Sequence, residues 1–315
     1  MRDGPVHVFA PFAEALRPGI ERHLPGRPVV CWSRAEEFAA GLGEVEFLLA
    51  LNPPRGRWAR AGRLRLLQVL GAGVDGVLPA PDLAPGVVLA NQRGMSAEPM
   101  AEFGLTLVLA LLKQLPGFVA AQRERAWRRA LPARAAGKTL AILGLGAIGE
   151  ALAERAAALG MRVVATQRTP KSHPAVARIE PPSGTGAVLA EADAVVLLLP
   201  LTPETRGSFG RERFAEMKRG AFLVNLARGG IVDEDALVEA LREGRLAGAA
   251  FDVFASEPLP AASPLWDAPN LWITPHMAGG FPEILEETAR RFAENVARLE
   301  RGEPAQNAID RARGY

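Results

Sequence analysis

Three polar residues of this chain each stand at or just beyond the end of an apolar run, and their side-chain chemistries are complementary. The run "LWITPH" carries His276 past a proline, "GAAFDVFASEP" carries Asp252 within it and Glu257 beyond it, and "FLVNLARGG" carries Arg228. An imidazole with a carboxylate on one nitrogen can present the other to a substrate oxygen, and a guanidinium offers a planar fork to a carboxylate. The chain has only four histidines, at positions 7, 23, 173 and 276, so the one that precedes "MAGG" calls for an explanation. Each residue alone has an ordinary structural account: Arg228 as a helix cap, Glu257 as a loop charge, His276 as the partner of a backbone carbonyl. Their joint position favours an acid-base site beside a carboxylate-binding arginine, because ligands of open parallel sheets sit outside the carboxyl ends of the strands.

A second constellation lies in "KTLAILGLGAIGEALAERAAALGMRVVATQR", where Gly144, Gly146 and Gly149 form G-x-G-x-x-G as a strand gives way to a helix. The first glycine permits the tight turn, the second lets a pyrophosphate approach the backbone, and the third lets the helix pack on its strand. The spacing alone is a weak signal. Its flanks strengthen it: a strand before, a helix from Ile148 to Leu159, a stop at Gly160, and a second strand from Met161 to Thr166. Dinucleotide binding is therefore expected, with Ala147 and Ile148 among the contacting positions at the helix start. An NAD site usually places Asp or Glu at the end of the second strand for the ribose hydroxyls. Here Gln167 and Arg168 stand there. A 2′-phosphate is not repelled and could pair with Arg168, assisted by Lys171, so NADP(H) is expected in preference to NAD(H), with Gln167 and Arg168 both at the cofactor. The plainer alternative is a surface arginine, with NAD held by other contacts.

These residues need elements to position them. Short strand-like runs alternate with helical ones from the start, in "VHVFA", "RPVVCW", "EFLLALN", "LRLLQVLGAG" and "GVVLANQ". A second alternating series begins after Gly137 and runs through "MRVVATQ", "ADAVVLLLP" and the three strand ends above. Such alternation predicts α/β architecture with parallel sheets. Between the series, "SAEPMAEFGLTLVLALLKQL" predicts a helix apolar on nearly every side, buried between two domains or two subunits. Near the end, Ile284, Leu285, Thr288, Phe292, Val296 and Leu299 share one helical face and are expected to pack back on the first series. The organisation predicted is a discontinuous domain, residues 1–92 with 281–315, into which a dinucleotide-binding domain, residues 93–280, is inserted.

Composition sets the remaining bounds. A chain of 315 residues with 49% apolar and 23% charged residues is globular, and its length suits two domains. The formal charge of +2 is no nucleic-acid signature; the basic cluster "QRERAWRRALPAR" (122–134) is expected as a solvated helix or subunit contact. Cys31 is the only cysteine, which excludes an intramolecular disulfide and a cysteine-based metal cluster, and no metal site is expected. Asp3 and Pro5 interrupt the start where a signal peptide needs an apolar core. The apolar stretch from Leu105 to Leu112 is far shorter than the roughly 20 residues of a membrane span. A cytoplasmic protein with no membrane partner is the expectation.

Taken together, "LGAGVD", "AEFGLTLVLALL", "GKTLAILGLGAIG", "LPLTPET", "MKRGAFLVNLARGGIVDEDAL", "FDVFASEPLP" and "ITPHMAGG", in this order, resemble the D-isomer-specific 2-hydroxyacid dehydrogenase family. The resemblance covers nearly the whole chain. It implies two Rossmann-like doubly wound domains, an active site in the cleft between them, and usually a homodimer. By position, it gives Arg228 to the substrate's carboxylate and carbonyl oxygen, Glu257 to the imidazole, and His276 to acid-base chemistry. Asp252 would hold the nicotinamide carboxamide, Pro200, Thr205 and Ala227 would line the cofactor, and the backbone of Ala72 and Gly73 would receive the substrate carboxylate. The substrate side-chain pocket is expected near "ALNPP" (Ala50–Pro54). Ala255 stands where the family commonly has a glutamate, and the missing acid at Gln167 resembles NADP-preferring glyoxylate and hydroxypyruvate reductases. The resemblance thus implies reduction of a small 2-keto acid. Two alternatives share the motifs: a 3-phosphoglycerate dehydrogenase-like enzyme, and a non-enzymatic dinucleotide-sensing protein of the corepressor type.

Overall fold

The computed structural model describes residues 4–311. They divide into two compact units: the chain up to Met95 together with the segment from Phe281, and Ser96–Gly280.

In the first unit the five apolar runs form β1 (Val6–Phe9), β2 (Val29–Trp32), β3 (Phe47–Ala50), β4 (Leu66–Val69) and β5 (Val88–Ala90). All pairings are parallel, in the order β2-β1-β3-β4-β5. Parallel strands need crossovers, which bury both faces of the sheet and make its strands apolar throughout. The two faces are visible in β3: Leu48 and Ala50 face the cluster of Phe38 and Trp58, while Phe47 and Leu49 face that of Leu16, Ile20, Phe292 and Val296. The latter belong to α1 (Ala13–His23) and α9 (Ile284–Glu300), which pack on each other. Phe38 lies in α2 (Ala35–Gly41).

The second unit holds β6 (Thr139–Leu143), β7 (Arg162–Thr166), β8 (Arg178–Glu180), β9 (Ala194–Leu197), β10 (Ala221–Asn225), β11 (Leu246–Phe251) and β12 (Leu271–Ile273). They form one parallel sheet in the order β12-β11-β10-β9-β6-β7-β8. Its helices are α3 (Ala97–Leu112), α4 (Leu115–Arg123), α5 (Ala147–Ala158), α6 (Thr185–Glu191), α7 (Arg211–Glu216) and α8 (Glu234–Arg242). Alternate residues of β6 serve opposite faces: Leu140 and Ile142 pack with α3 and α5, Ala141 and Leu143 with α6, α7 and α8. From β6 the chain winds one way to β8, then returns through β9 towards β12. The direction reverses between β6 and β9, and such a switch point opens a crevice at the strands' carboxyl ends.

Three local expectations are revised. The strand β8 has no apolar run, because its three residues are all half-buried at the sheet edge. The apolar helix ends at Leu112, and α4 follows at an angle of 66°. The cause is Pro116, which has no N–H to return to the Leu112 carbonyl; the Ala133 N–H takes that carbonyl instead, at 3.0 Å. The basic cluster is helical only to Arg123, and its remainder is irregular, with Trp127 95% and Leu131 94% exposed. Among the described residues no single helix is long and apolar enough to cross a membrane.

Candidate active site

Asn225, Phe251 and Ile273, the last residues of three neighbouring strands, are in register. The residues that follow them therefore leave the sheet at one edge. Arg228 follows β10, Asp252 and Glu257 follow β11, and His276 follows β12.

Asp252 is 1% exposed. Its Oδ1 accepts the Thr274 hydroxyl at 2.5 Å and the Met277 N–H at 3.0 Å, and its Oδ2 accepts the Ala278 N–H at 2.9 Å. One buried carboxylate thus ties down the chain on both sides of His276. The bracket matters because His276 has φ 54°, a left-handed conformation that costs a non-glycine residue about 1–2 kcal/mol. Hydrogen bonds to a charged acceptor are worth about 1.5–3 kcal/mol each, so three of them outweigh that cost.

Glu257 accepts from two directions. Its Oε1 takes the Phe254 N–H at 2.8 Å, and its Oε2 lies 2.6 Å from Nδ1 of His276. The first bond orients the carboxylate, and the second leaves Nε2 on the far side of the ring. The His276 side chain is 48% exposed. Glu234, at the start of α8, accepts the Ala255 N–H at 2.7 Å and holds the same loop from its other side.

Arg228 is joined to this loop through its neighbour. A Cβ on Gly229 would collide with the Phe254 carbonyl carbon and the Ala255 nitrogen, so only glycine lets the two turns touch. The Arg228 Nη1 donates to the Ala227 carbonyl at 2.7 Å, and the Ala227 N–H donates to Oδ1 of buried Asn225 at 3.1 Å. Sequence reasoning missed Asn225, Gly229 and Glu234. An asparagine inside an apolar strand and a double glycine after the arginine were the available signals; Glu234 had none.

The other three histidines have structural employment. His7 is buried against Trp32, with ring centroids 4.8 Å apart, and burial pushes its imidazole down to about 4. His23 lies 2.9 Å from Glu286 of α9, and Nδ1 of His173 accepts the Ala175 N–H at 3.2 Å. That leaves His276 as the one bracketed at a strand-end crevice.

At the switch point, Gly144 has φ 105°, and a Cβ on Gly149 would stand 2.8 Å from the Gly144 carbonyl oxygen. The turn and the helix start can lie this close only with glycine at both positions. Gly146 and Ala147 are exposed at the N-terminus of α5, and a Cβ on Gly146 would meet no protein atom within 4 Å. The first bond of the helix runs from the Glu150 N–H to the Gly146 carbonyl, so the Ala147 and Ile148 N–H groups precede it and are disposed for an anion. The turn fits a dinucleotide pyrophosphate. Beside it, the Thr205 hydroxyl donates to the Pro200 carbonyl at 2.6 Å and accepts the Thr202 N–H at 2.8 Å, closing the "LPLTPET" loop. In that loop the Glu204 carboxyl is held below its usual range by the Thr202 hydroxyl, with a smaller contribution from the positive charge of Arg168. Arg168 and Lys171 are exposed. Gln167 differs from expectation, since its side-chain amide is bonded to the protein's own backbone on both sides.

In the first unit, Ala72 and Gly73 lie in the loop after β4. Asn91, buried just beyond β5, donates its amide to the Ala72 carbonyl at 2.6 Å, and the Gln92 N–H donates to the Gly71 carbonyl at 3.0 Å. Those bonds hold the loop's carbonyls inward. Asn91 is a further positioning residue that sequence alone did not reveal.

Known proteins carry the same framework. The family model for the NAD-binding domain of D-isomer-specific 2-hydroxyacid dehydrogenases matches residues 105–278. A glyoxylate/hydroxypyruvate reductase A of Serratia proteamaculans is 34% identical over 316 residues, 98% of each chain. A D-isomer-specific 2-hydroxyacid dehydrogenase from Xanthobacter autotrophicus Py2, solved in complex with NADPH and MES, is 37% identical with TM-score 0.87, covering 99% of this chain and 100% of that one. An NADPH-dependent glyoxylate/hydroxypyruvate reductase from Sinorhizobium meliloti, solved with NADP and sulfate, is 31% identical with TM-score 0.89 over the same shares.

Proposed function

Since the chain belongs to the D-isomer-specific 2-hydroxyacid dehydrogenase family, we propose that it reduces glyoxylate and hydroxypyruvate, using NADPH in preference to NADH. The observation that carries the chemistry is the 2.6 Å contact between Glu257 and His276, at the strand edge that also carries the glycine turn. The substrate and cofactor rest on the relatives, which are reductases of those acids and complexes of NADPH or NADP.

In this mechanism Gly144, Gly146, Ala147, Ile148 and Gly149 hold the pyrophosphate, Arg168 and Lys171 meet the 2′-phosphate, and Pro200, Thr205 and Ala227 line the cofactor. Asp252 already accepts three protein donors. A carboxylate has about four acceptor positions, so one remains for a carboxamide N–H. The bound reduced nicotinamide supplies a hydride to the substrate carbonyl carbon. His276 gives a proton from Nε2 to the carbonyl oxygen, while the Glu257 charge stabilises the imidazolium until transfer. Arg228 pairs its fork with the substrate carboxylate and draws electron density from the carbonyl.

Initial rates with glyoxylate, hydroxypyruvate, pyruvate and bulkier 2-keto acids, each with NADPH and NADH, test the reading. Glyoxylate and hydroxypyruvate should give the highest kcat/KM. NADPH should be favoured by about 10- to 150-fold, the worth of one charge-assisted contact to the 2′-phosphate. Equal rates with the two cofactors would remove the NADPH assignment; no turnover with any keto acid would remove the enzyme.

The chain is further proposed to act in the cytoplasm as a homodimer. Trp127 and Leu131, almost wholly exposed in an arginine-rich segment, are the large apolar groups that a second copy would cover. Sedimentation equilibrium should give twice the chain mass, and Trp127→Glu with Leu131→Glu should give the monomer. An unchanged mass in that double variant would place the contact elsewhere.

A further inference from the structure

Gln167 occupies the position at which a dinucleotide site would present an acid to the ribose, yet its side chain faces inward to the backbone. Its Nε2 donates to the Leu145 carbonyl, inside the glycine turn, at 2.8 Å, and its Oε1 accepts the Lys171 N–H at 2.9 Å. The Gln167 N–H itself donates to the Glu180 carbonyl of β8 at 2.9 Å. One amide therefore spans the gap between the turn for the pyrophosphate and the loop that carries Arg168 and Lys171. The far end of this loop is fastened separately, by the Ala175 N–H on Nδ1 of His173.

We propose that Gln167 is a positioning residue for cofactor selectivity: it clamps residues 168–171 to the glycine turn, so that this loop is preorganised for a 2′-phosphate. The proposal rests on the NADPH reading above. The role of Gln167 follows from hydrogen-bond stoichiometry. Its amide donor and acceptor are both committed to the backbone, and it joins its own loop to a turn 22 residues earlier in the sequence. A carboxylate at the same position could still accept the Lys171 N–H but could not donate to the Leu145 carbonyl. It would be repelled from that carbonyl and turn outward, into the space where a 2′-phosphate would lie. A glutamine is thus what keeps this strand end both ordered and free of negative charge. Preorganised loops gain affinity because less ordering remains to be done on binding.

The test separates the clamp from the reading beneath it by measuring binding without turnover. Adenosine 2′,5′-bisphosphate and AMP share the adenine, the ribose and the 5′-phosphate and differ only at the 2′ position. Calorimetric titration of the wild type should show tighter binding of the bisphosphate. In Gln167→Leu, which removes both bonds and adds no charge, bisphosphate affinity should fall about 10-fold, as expected for two neutral hydrogen bonds. AMP affinity should change less than about twofold. In Gln167→Glu the ratio should fall further, because the outward carboxylate opposes the phosphate. A wild-type preference that survives in Gln167→Leu overturns the clamp alone. An equal loss of both ligands also overturns it, since a general structural role or a direct ribose contact would weaken both together. A wild type with no bisphosphate preference overturns the NADPH reading and the clamp's purpose with it.

Discussion

Replacing His276 with alanine is expected to lower kcat for keto-acid reduction by about 10²–10⁴-fold, the usual contribution of a general acid, while the NADPH dissociation constant stays within about twofold. The separation follows from geometry. His276 projects from the strand edge beyond β12, with its Nδ1 on Glu257, whereas the turn read as the pyrophosphate site lies between β6 and α5. Backbone collapse is not the expected cause of the loss, because Asp252 holds the turn through Thr274, Met277 and Ala278 and none of its three bonds uses the imidazole. Single-turnover kinetics with a cofactor titration check both halves. Near-normal turnover would take His276 out of the proton transfer.

Arg228→Ala is expected to lower kcat/KM by about 10²–10³-fold, and Arg228→Lys to recover only a small part of it. A lysine keeps the charge, worth a share of the binding, but it presents a point donor where the guanidinium presents two parallel N–H groups. Orientation is the larger part of the loss, since a misplacement of about 1 Å can cost about 10²-fold when reacting atoms must align. The structure adds a reason that the fork is well aimed. Its backbone is pinned by Gly229 against the Phe254–Ala255 peptide, and by Asn225 through the Ala227 N–H. Steady-state kinetics on the two variants decide it, and a lysine variant as active as the wild type would exclude two-point recognition.

The parts of the molecule that neighbouring residues can specify were legible before any coordinates. The glycine turn at 144–149 is a local matter: a strand, a tight reversal and a helix start need particular residues within a few positions of one another. The strands were legible for the same reason, since a parallel strand covered on both faces must be apolar throughout. Where burial was partial, as in β8, the signal vanished. The break after Leu112 was legible in principle, for Pro116 stands in the sequence, but the carbonyl it leaves is taken by Ala133 on a returning segment that no local pattern announces.

The amino-acid sequence by itself determined the parallel α/β class, the glycine turn, and the polar residues at the strand ends. Only the tertiary structure decided which polar groups are spent on the protein's own backbone. Asp252 brackets the His276 turn, Glu234 holds the Ala255 N–H, Asn91 holds the Ala72 carbonyl, and Gln167 joins Leu145 to Lys171. The physical reason is that a hydrogen bond needs its partner within about 3 Å. Partners this far apart along the chain meet only after parallel strands have come into register and their carboxyl ends share one edge.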